Sequence, residues 1–440
     1  MLFWQEMKKI IFSLSYLLFV AAVVIGLYSQ GVFGFQDRPV TEPQPGGDYG
    51  AYGMKQEENP ELIMPAALEK LWEEFCENDY VTYPIGFIKH VKLDEKEQFE
   101  VAKVLSEITG IDESELLIER KHNRAKDSGD FTMEIGGNMQ IQKDSENSFV
   151  IQNGNQEAFH LEVKQDMEYS RFKELMAQVD DLLGGGSEYA VESLKGYGMV
   201  AQSYEEAHKQ YELTVSRDKI TGGYARLFSD YAVAMVMSVL PVFLSVILCM
   251  KDKRAKMEAL IYTKRASSFK ITAVRYFALI TSVMLPVLLL SYLSNILIWS
   301  CHSGMELDYL APLKYDFGWI LPSVMISTAL GMFLTELTNT PIAIAVQGLW
   351  WLFDINMGIK TVDSGYALIR LAPRHNAGAA SWFKTQVFID YFQKLVQNRL
   401  LFAVISLLLA VLTILIYGAK RKGKFHGRLL FRNRKKQSEA

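Results

Sequence analysis

Few residues in this sequence have types and spacings that could do chemistry. Ser170 with Lys173 and Ser267 with Lys270 have the S-x-x-K spacing, in which a lysine one helical turn on can activate a serine hydroxyl. In a chain of 440 residues such pairs arise by chance. Leu182–Tyr189, "LLGGGSEY", offers glycines that could cradle a phosphate. A phosphate-binding loop, however, needs a lysine after its last glycine and a helix behind it. Here Ser187 and Glu188 follow, and the stretch reads as a helix stop followed by a new helix capped by Ser187. The pair Gly423–Lys424 is followed by Phe425, so it completes no G-x-x-x-x-G-K-[ST] loop. G-x-S-x-G is absent from the sequence, and the seven histidines contain no H-E-x-x-H or other zinc-ligand spacing. Cys76, Cys249 and Cys301 fit no metal or redox motif. Cys249, at the end of an apolar run, reads as packing. A bond between Cys76 and Cys301 is open to the chain but not required by a fold of this size. The expectation is a chain without an active site, metal or bound cofactor of its own.

The remaining candidate is the segment Lys251–Tyr276, which carries eight Lys or Arg residues between two apolar runs. Met257, Leu260 and Ile261 fall at i, i+3 and i+4, one face of a helix expected over residues 255–263. Glu258 points away from that stripe and Tyr262 stands beside it. Two readings are open. The helix could lie on anionic lipid, where each base contributes about 1 kcal/mol. Or it could dock a cytoplasmic subunit.

The elements around this segment are long apolar runs. A membrane helix needs about 20 apolar residues to cross a hydrocarbon core of about 30 Å. Six segments meet or approach that length: Ile10–Phe33, Tyr231–Met250, Phe277–Trp299, Gly318–Leu337, Pro341–Met357 and Leu400–Tyr417. The first is longer than a signal-peptide core and lacks a cleavage site, so it reads as retained. Lys8 and Lys9, the eight bases of Lys251–Tyr276 and nine more from Lys420 to Lys436 all fall on one side of a six-span chain. By the positive-inside rule that side is the cytoplasm. The expected localisation is the cell membrane, with both termini cytoplasmic. Pro241, Pro286 and Pro322 lie within the spans as kinks or hinges.

The stretch Gln36–Arg226 differs in composition, with roughly 38 acids against 20 bases. Residues 37–53, rich in Pro, Gly and acids, read as a linker. Leu68, Leu71, Trp72 and Phe75 share one helical face, as do Phe99, Val101, Val104, Leu105 and Ile108 in a helix stopped by Gly110. "DFTMEIGG", "NMQIQKD", "SFVIQNG" and "AFHLEVKQ" alternate as a small antiparallel sheet. Helices return at "YSRFKELMAQVDDLL" and "SYEEAHKQYELTV".

The segment "RAKMEALIYTKRASSFKITAVRYFAL" resembles the loop of ABC-2-type transporter permeases from Gram-positive bacteria. Their pattern is an acidic-plus-Leu helix, a small-polar turn and a base entering the third span. It maps onto Glu258, Leu260 or Ile261, Thr263, Ser267–Ser268 and Arg275. "LLGGGSEY", "DKITGGYARLFSDY", "TALGMFLTELTNTPIAIAVQGLWW", "PRHN" and "NRLLF…YGAKRKGK" agree in order, so the resemblance covers roughly residues 169–424. It departs where Lys256–Met257 replaces Gly-Thr and Lys264 replaces Pro, so a partner's groove would differ.

The resemblance implies an α-helical polytopic membrane protein with six transmembrane helices and an α+β extracellular domain inserted between helices 1 and 2. The expected parts are residues 1–35 with the first span and an outer domain over 36–228. The second span (229–250) and a coupling loop (251–276) follow. Spans three to six lie within 277–418 with an outer re-entrant segment at 359–398, and 419–440 form a basic tail. The implied function is the permease subunit of an exporter. It would pair with a second permease, homodimeric or heterodimeric, and be driven by a separate ABC subunit that binds the ATP. Lipid is an expected partner and nucleic acid is not. The docking residues would be Met257, Glu258, Leu260, Ile261 and Tyr262. Glu336, closing span four, reads as an interfacial acid or as a salt bridge to the basic loop. Arg374, His375 and Asn376 would cap helix ends over the outer gate. The alternative is a membrane sensor or scaffold whose outer domain binds a ligand or peptide.

Overall fold

The computed structural model describes the chain except residues 38, 85–86, 128–132, 135–138, 144–148, 154–160, 256, 258–260, 264, 358–364, 376–382 and 425–440. Glu258, Leu260 and Asn376 therefore lie outside the described residues. The fold is mostly helical and divides into two compact units, Met54–Ala201 and Met1–Gly53 with Gln202–Ala440.

Helix α1 (Leu2–Ile11) precedes α2 (Leu14–Ser29), and the two meet at 66°. The single run expected over Ile10–Phe33 is thus broken. Ser13 is the cause: its hydroxyl donates to Ile10 O (2.6 Å) and accepts from Tyr16 N (3.2 Å), ending one helix and capping the next.

In the second unit, β1 (Met54–Gln56) leads into α3 (Pro60–Glu77). Asn59 caps α3, Pro60 sits in its first turn, and Asn78 ends it in the left-handed region at φ 54°. The hairpin β2 (Tyr80–Thr82) and β3 (Lys89–Val91) follows, then α4 (Glu95–Thr109) and α5 (Glu113–Asp127). A capping box of Asp94 and Glu97 opens α4, and Gly110 at φ 78° closes it. Leu68, Leu71 and Phe75 of α3 and Val101, Val104, Leu105 and Ile108 of α4 are buried together, as their spacing predicts. Phe99 is not part of that face. It is 39% exposed, and the Lys103 ammonium lies 4.9 Å from its ring centre.

Strands β4 (Met133–Glu134), β5 (Met139–Lys143) and β6 (Phe149–Asn153) form an antiparallel sheet, with Ile141 opposite Ile151. The fourth expected strand is absent where described, since Leu161–Lys164 is irregular. Helix α6 (Tyr169–Leu182) adds Phe172, Leu175, Met176 and Val179 to the core. No new helix begins at Ser187. Gly184, Gly185 and Gly186 turn the chain at positive φ, and one Asp180 oxygen accepts from both Ser187 N and its hydroxyl at 2.7 Å. Ser187 is thereby tied back to α6 and the chain continues in turns. Strand β7 (Met199–Ala201) pairs antiparallel with β1 and closes the unit.

The rest belongs to the other unit. It begins with α7 (Tyr204–Ser216), opened by a capping box of Ser203 and Glu206. Helix α8 starts at Thr221 and runs through a π-helical turn, Val233–Met237, then bends by 44° into α9 (Pro241–Arg254). The compact unit ends at Ala201, before the residue 228 expected as the end of the outer domain, and α7 and α8 belong to the other unit, where Arg226 of α8 is buried. Helix α10 spans Ser268–Cys301, and Ser267, half of one S-x-x-K pair, is its cap. Helix α11 spans Ala311–Thr338 and contains a π-helical turn, Asp316–Ile320. Helix α12 is Ile342–Asn356 and α13 is Thr385–Arg421. A Cβ built on Gly331 of α11 would stand 1.8 Å from Ser245 Oγ of α9, so only glycine permits that approach.

Among the described residues three helices, α10, α11 and α13, are long and apolar enough to cross a membrane, or up to five spans if the bent pairs α1–α2 and α8–α9 each count as one. The sequence pattern predicts six. The difference lies in α12, whose 15 residues extend only about 22 Å at 1.5 Å each. The three cysteines are free thiols.

Candidate functional site

A buried polar network joins α8, α11, α13 and the segment before α13. Its centre is Arg226, fully buried in the second turn of α8. Asp218 holds the guanidinium in two parallel bonds, Nη1 to Oδ1 at 3.0 Å and Nη2 to Oδ2 at 2.7 Å. Nη1 also donates to Tyr315 Oη (3.1 Å), and Nη2 to Phe383 O (3.0 Å) and Thr385 Oγ1 (3.2 Å). Thr385 in turn donates to Asp218 at 2.7 Å, and the Phe388 ring lies 4.4 Å from the guanidinium carbon. The start of α13 is fixed to α8 by this set, and Lys384 precedes it at φ 44°.

His375 belongs to the same region. Its backbone N–H donates to Asp230 Oδ1 at 3.1 Å, one turn of α8 beyond Arg226. Its Nε2 meets Phe383 O and its Nδ1 meets the Tyr366 hydroxyl. A carbonyl can only accept, so Nε2 carries the proton. Both ring nitrogens are thus engaged in holding the chain between Tyr366 and Phe383. Arg374, half-buried beside it, is tied through its backbone N–H to Gly365 O at 2.9 Å. None of these bonds caps a helix end, the role expected for the two residues; they brace irregular chain instead. These bonds position the chain between Tyr366 and Phe383 against α8.

A second lock lies next to it. Asp354 of α12 accepts from Leu371 N (2.8 Å) and Ala372 N (3.0 Å). Asn398 Nδ2 donates to the carbonyls of Ala367, Leu368 and Arg370. Arg399 Nη1 donates to Trp319 O (3.0 Å) and Ser323 Oγ (2.7 Å), which ties α13 to α11. Residues 365–375 are irregular backbone whose carbonyls are met by side chains. Non-helical chain is tolerated at membrane depth only under that condition. Of the stretch 359–398 expected as re-entrant, residues 359–364 and 376–382 lie outside the described residues, and Thr385–Asn398 belongs to the long helix α13.

The opposite ends of α11 and α13 meet in a third cluster. Glu336 is buried, and Lys420 of α13 donates to it at 2.9 Å and to Asn339 Oδ1 at 2.7 Å. Its salt bridge therefore runs to α13, where the sequence suggested the basic loop. The basic segment is held by the next residue: Arg421 Nε donates to Tyr262 O at 2.8 Å and Nη1 to Ala266 O. Tyr262 packs edge-on against Tyr417, with ring centres 5.7 Å apart. Met257 is 44% exposed, and Ile261 N bonds Met257 O at 3.0 Å.

Sequence reasoning placed Glu336, Arg374 and His375, but it missed Asp218, Arg226, Asp230, Asp316 and Arg399. A signal existed. Arg226 and Asp230 sit four apart at the edge of an apolar run, and Arg399 stands directly before Leu400. Charges at such edges read as span ends until the helix is seen to begin earlier. No family model, curated protein or solved structure matches this chain.

Proposed function

We propose that the chain is the permease subunit of an ABC transporter of the ABC-2 type, an exporter driven by a separate ATP-binding subunit. In this reading six helices cross the cell membrane, with α12 completing the set as a short span. The bases around Lys251–Tyr276 and the tail face the cytoplasm. Residues 54–201 form an extracellular α+β domain, and two permeases pair around the pathway.

The observation that carries the reading is the connection between the basic segment and two long helices. Arg421 grips the backbone of that segment at Tyr262 and Ala266, while its neighbour Lys420 holds Glu336 at the end of α11. A push on the segment would therefore be delivered to α13 and α11 together. Coupling needs such a packed element shared by both ends. At the far ends of those helices, the Arg226 and Arg399 networks fix the irregular segment that would form the outer gate.

The docking helix is tested by Leu260→Asp and Glu258→Arg, separately and together, in a chain co-expressed with its P-loop subunit. Leu260→Asp drives a charge into an apolar groove, which costs several kcal/mol, and Glu258→Arg reverses a charge and adds repulsion where the groove is basic, so co-purification of the ATPase is expected to fall with either change and to be lost with both. A complex that survives the double change assigns the stripe to lipid.

A further inference from the structure

The charged groups described so far have partners, but Asp316 does not. It opens the π-helical turn of α11 and is fully buried, and neither carboxylate oxygen has a hydrogen-bond partner. The facing helix, α10, carries Ser291 beside the carboxylate, and Asn295 follows one turn on along α10, both fully buried. The Ser291 hydroxyl approaches the carboxylate and acts on it, yet closes no hydrogen bond within normal geometry. Asn295 has turned its Nδ2 to Ser291 O (2.8 Å), which leaves its Oδ1 without a donor.

Charges on the packed elements are spent elsewhere. Arg226 is held by Asp218 and Tyr315, Asp230 accepts from His375 N, Lys314 is bound to Asp308, and Arg399 serves Asn398, Ser323 and backbone carbonyls. An unpaired buried carboxylate is expensive, and ionisable residues in membrane helices mark ion or proton sites. A turn of π-helix is a frequent mark of function in its own right. The orphaned oxygens of Asp316, Ser291 and Asn295 can all accept, the orphaned Trp319 Nε1 of the same π-turn is a neutral donor, and what the set lacks is a positive charge.

We propose that Asp316, with Ser291 and Asn295, forms an intramembrane binding site for a small monovalent cation, either a proton or an alkali metal ion. Two carboxylate oxygens, a hydroxyl and an amide oxygen supply hard ligands for sodium or potassium. If a proton is bound instead, the carboxyl O–H finds its acceptor in Ser291 Oγ or Asn295 Oδ1. In either case the charge deficit is removed where α10 meets α11, so occupancy is linked to how those helices pack. The site is independent of the transport reading, and its test uses this chain alone.

The full-length protein, purified in a defined detergent, is examined by infrared difference spectroscopy and by thermal unfolding. Sodium or potassium chloride is compared with choline chloride at equal ionic strength. With a proton as occupant, the wild type shows the C=O stretch of a buried carboxylic acid. That band is lost in Asp316→Asn and moves in Ser291→Ala. With a metal ion as occupant, the wild-type unfolding temperature rises with one alkali ion over choline. The rise is absent in Asp316→Asn, and Ser291→Ala needs several-fold more of the ion for half the effect. Wild type with neither the band nor the ion dependence overturns the site. So does a signal that survives unchanged in Asp316→Asn, or, should that variant not fold, in Ser291→Ala.

Discussion

The two compact units hold themselves together by different physics. In Met54–Ala201 the helices bury apolar faces at regular spacing, and their ends are closed by local caps such as Asp94, Gly110 and Asn78. In the other unit the long helices α10, α11 and α13 are apolar over most of their length, so apolar contact alone does not choose which side of a helix faces which neighbour. In hydrocarbon the bundle gains little from a hydrophobic force between helices. Polar contacts make that choice instead: Arg226 on Asp218, Arg399 on Ser323, and Lys420 on Glu336. One unit therefore spreads its stability over many interchangeable contacts, while the other concentrates specificity in a few that cannot be interchanged.

That contrast is broken most severely by removing one half of a buried pair. Asp218→Ala leaves the Arg226 guanidinium buried without its carboxylate, a loss of about 3–5 kcal/mol in comparable pairs. The membrane unit is expected to lose most of its monodisperse fraction on size-exclusion chromatography in detergent, while hydrogen-exchange protection in α3 and α4 persists. Protection lost equally in both units would contradict the division. A single methylene in the other core should cost far less. Ile108→Val is expected to destabilise by about 0.5–1.5 kcal/mol, read as faster exchange confined to α3, α4 and α6.

The smallest effect concerns Glu74, the one buried carboxyl among the described residues of Met54–Ala201. Glu74 accepts from the Tyr189 hydroxyl at 2.7 Å and from Val81 N at 3.4 Å. Burial raises its pKa above the ordinary value of 4.5, outweighing the hydrogen bonds that lower it. The folded unit therefore binds the proton more firmly than the unfolded chain does. The contribution is fully present below the ordinary glutamate value and is lost as pH rises through the higher folded value. Exchange protection in α3 should fall modestly as pH rises across that window, after correction for intrinsic exchange. The fall should be reduced in Glu74→Gln. Equal pH dependence in the two proteins would show that Glu74 is not the group responsible.

How much of this was legible in the sequence follows the same division. The apolar faces of α3, α4 and α6 are local, and a period of 3.6 is enough to see them, while Asp94 and Gly110 mark the ends of α4 and Ser203 the start of α7. Phe99 shows the limit: it is apolar and near the face, but two residues out of phase with Val101. The long helices were found as apolar runs and misjudged at their ends. Hydropathy is silent once charges appear, and α13 begins fifteen residues before Leu400 because Thr385, Asn398 and Arg399 find buried partners. The same silence hid Asp316, which lies just ahead of the apolar run over Gly318–Leu337. Pairings such as Arg226 with Phe383 O join residues 157 positions apart, and one sequence carries no period that reveals them.

The transport reading stands or falls on where ATP is bound. The direct measurement is nucleotide binding and hydrolysis by the purified chain alone and by the chain co-purified with a P-loop subunit encoded beside it. The account predicts neither binding nor hydrolysis by the chain alone. With the partner it predicts an ATPase that survives detergent extraction and loses coupling to transport in Glu336→Gln. Saturable ATP binding by this chain without a partner, or a P-loop subunit that never associates with it, would contradict the account.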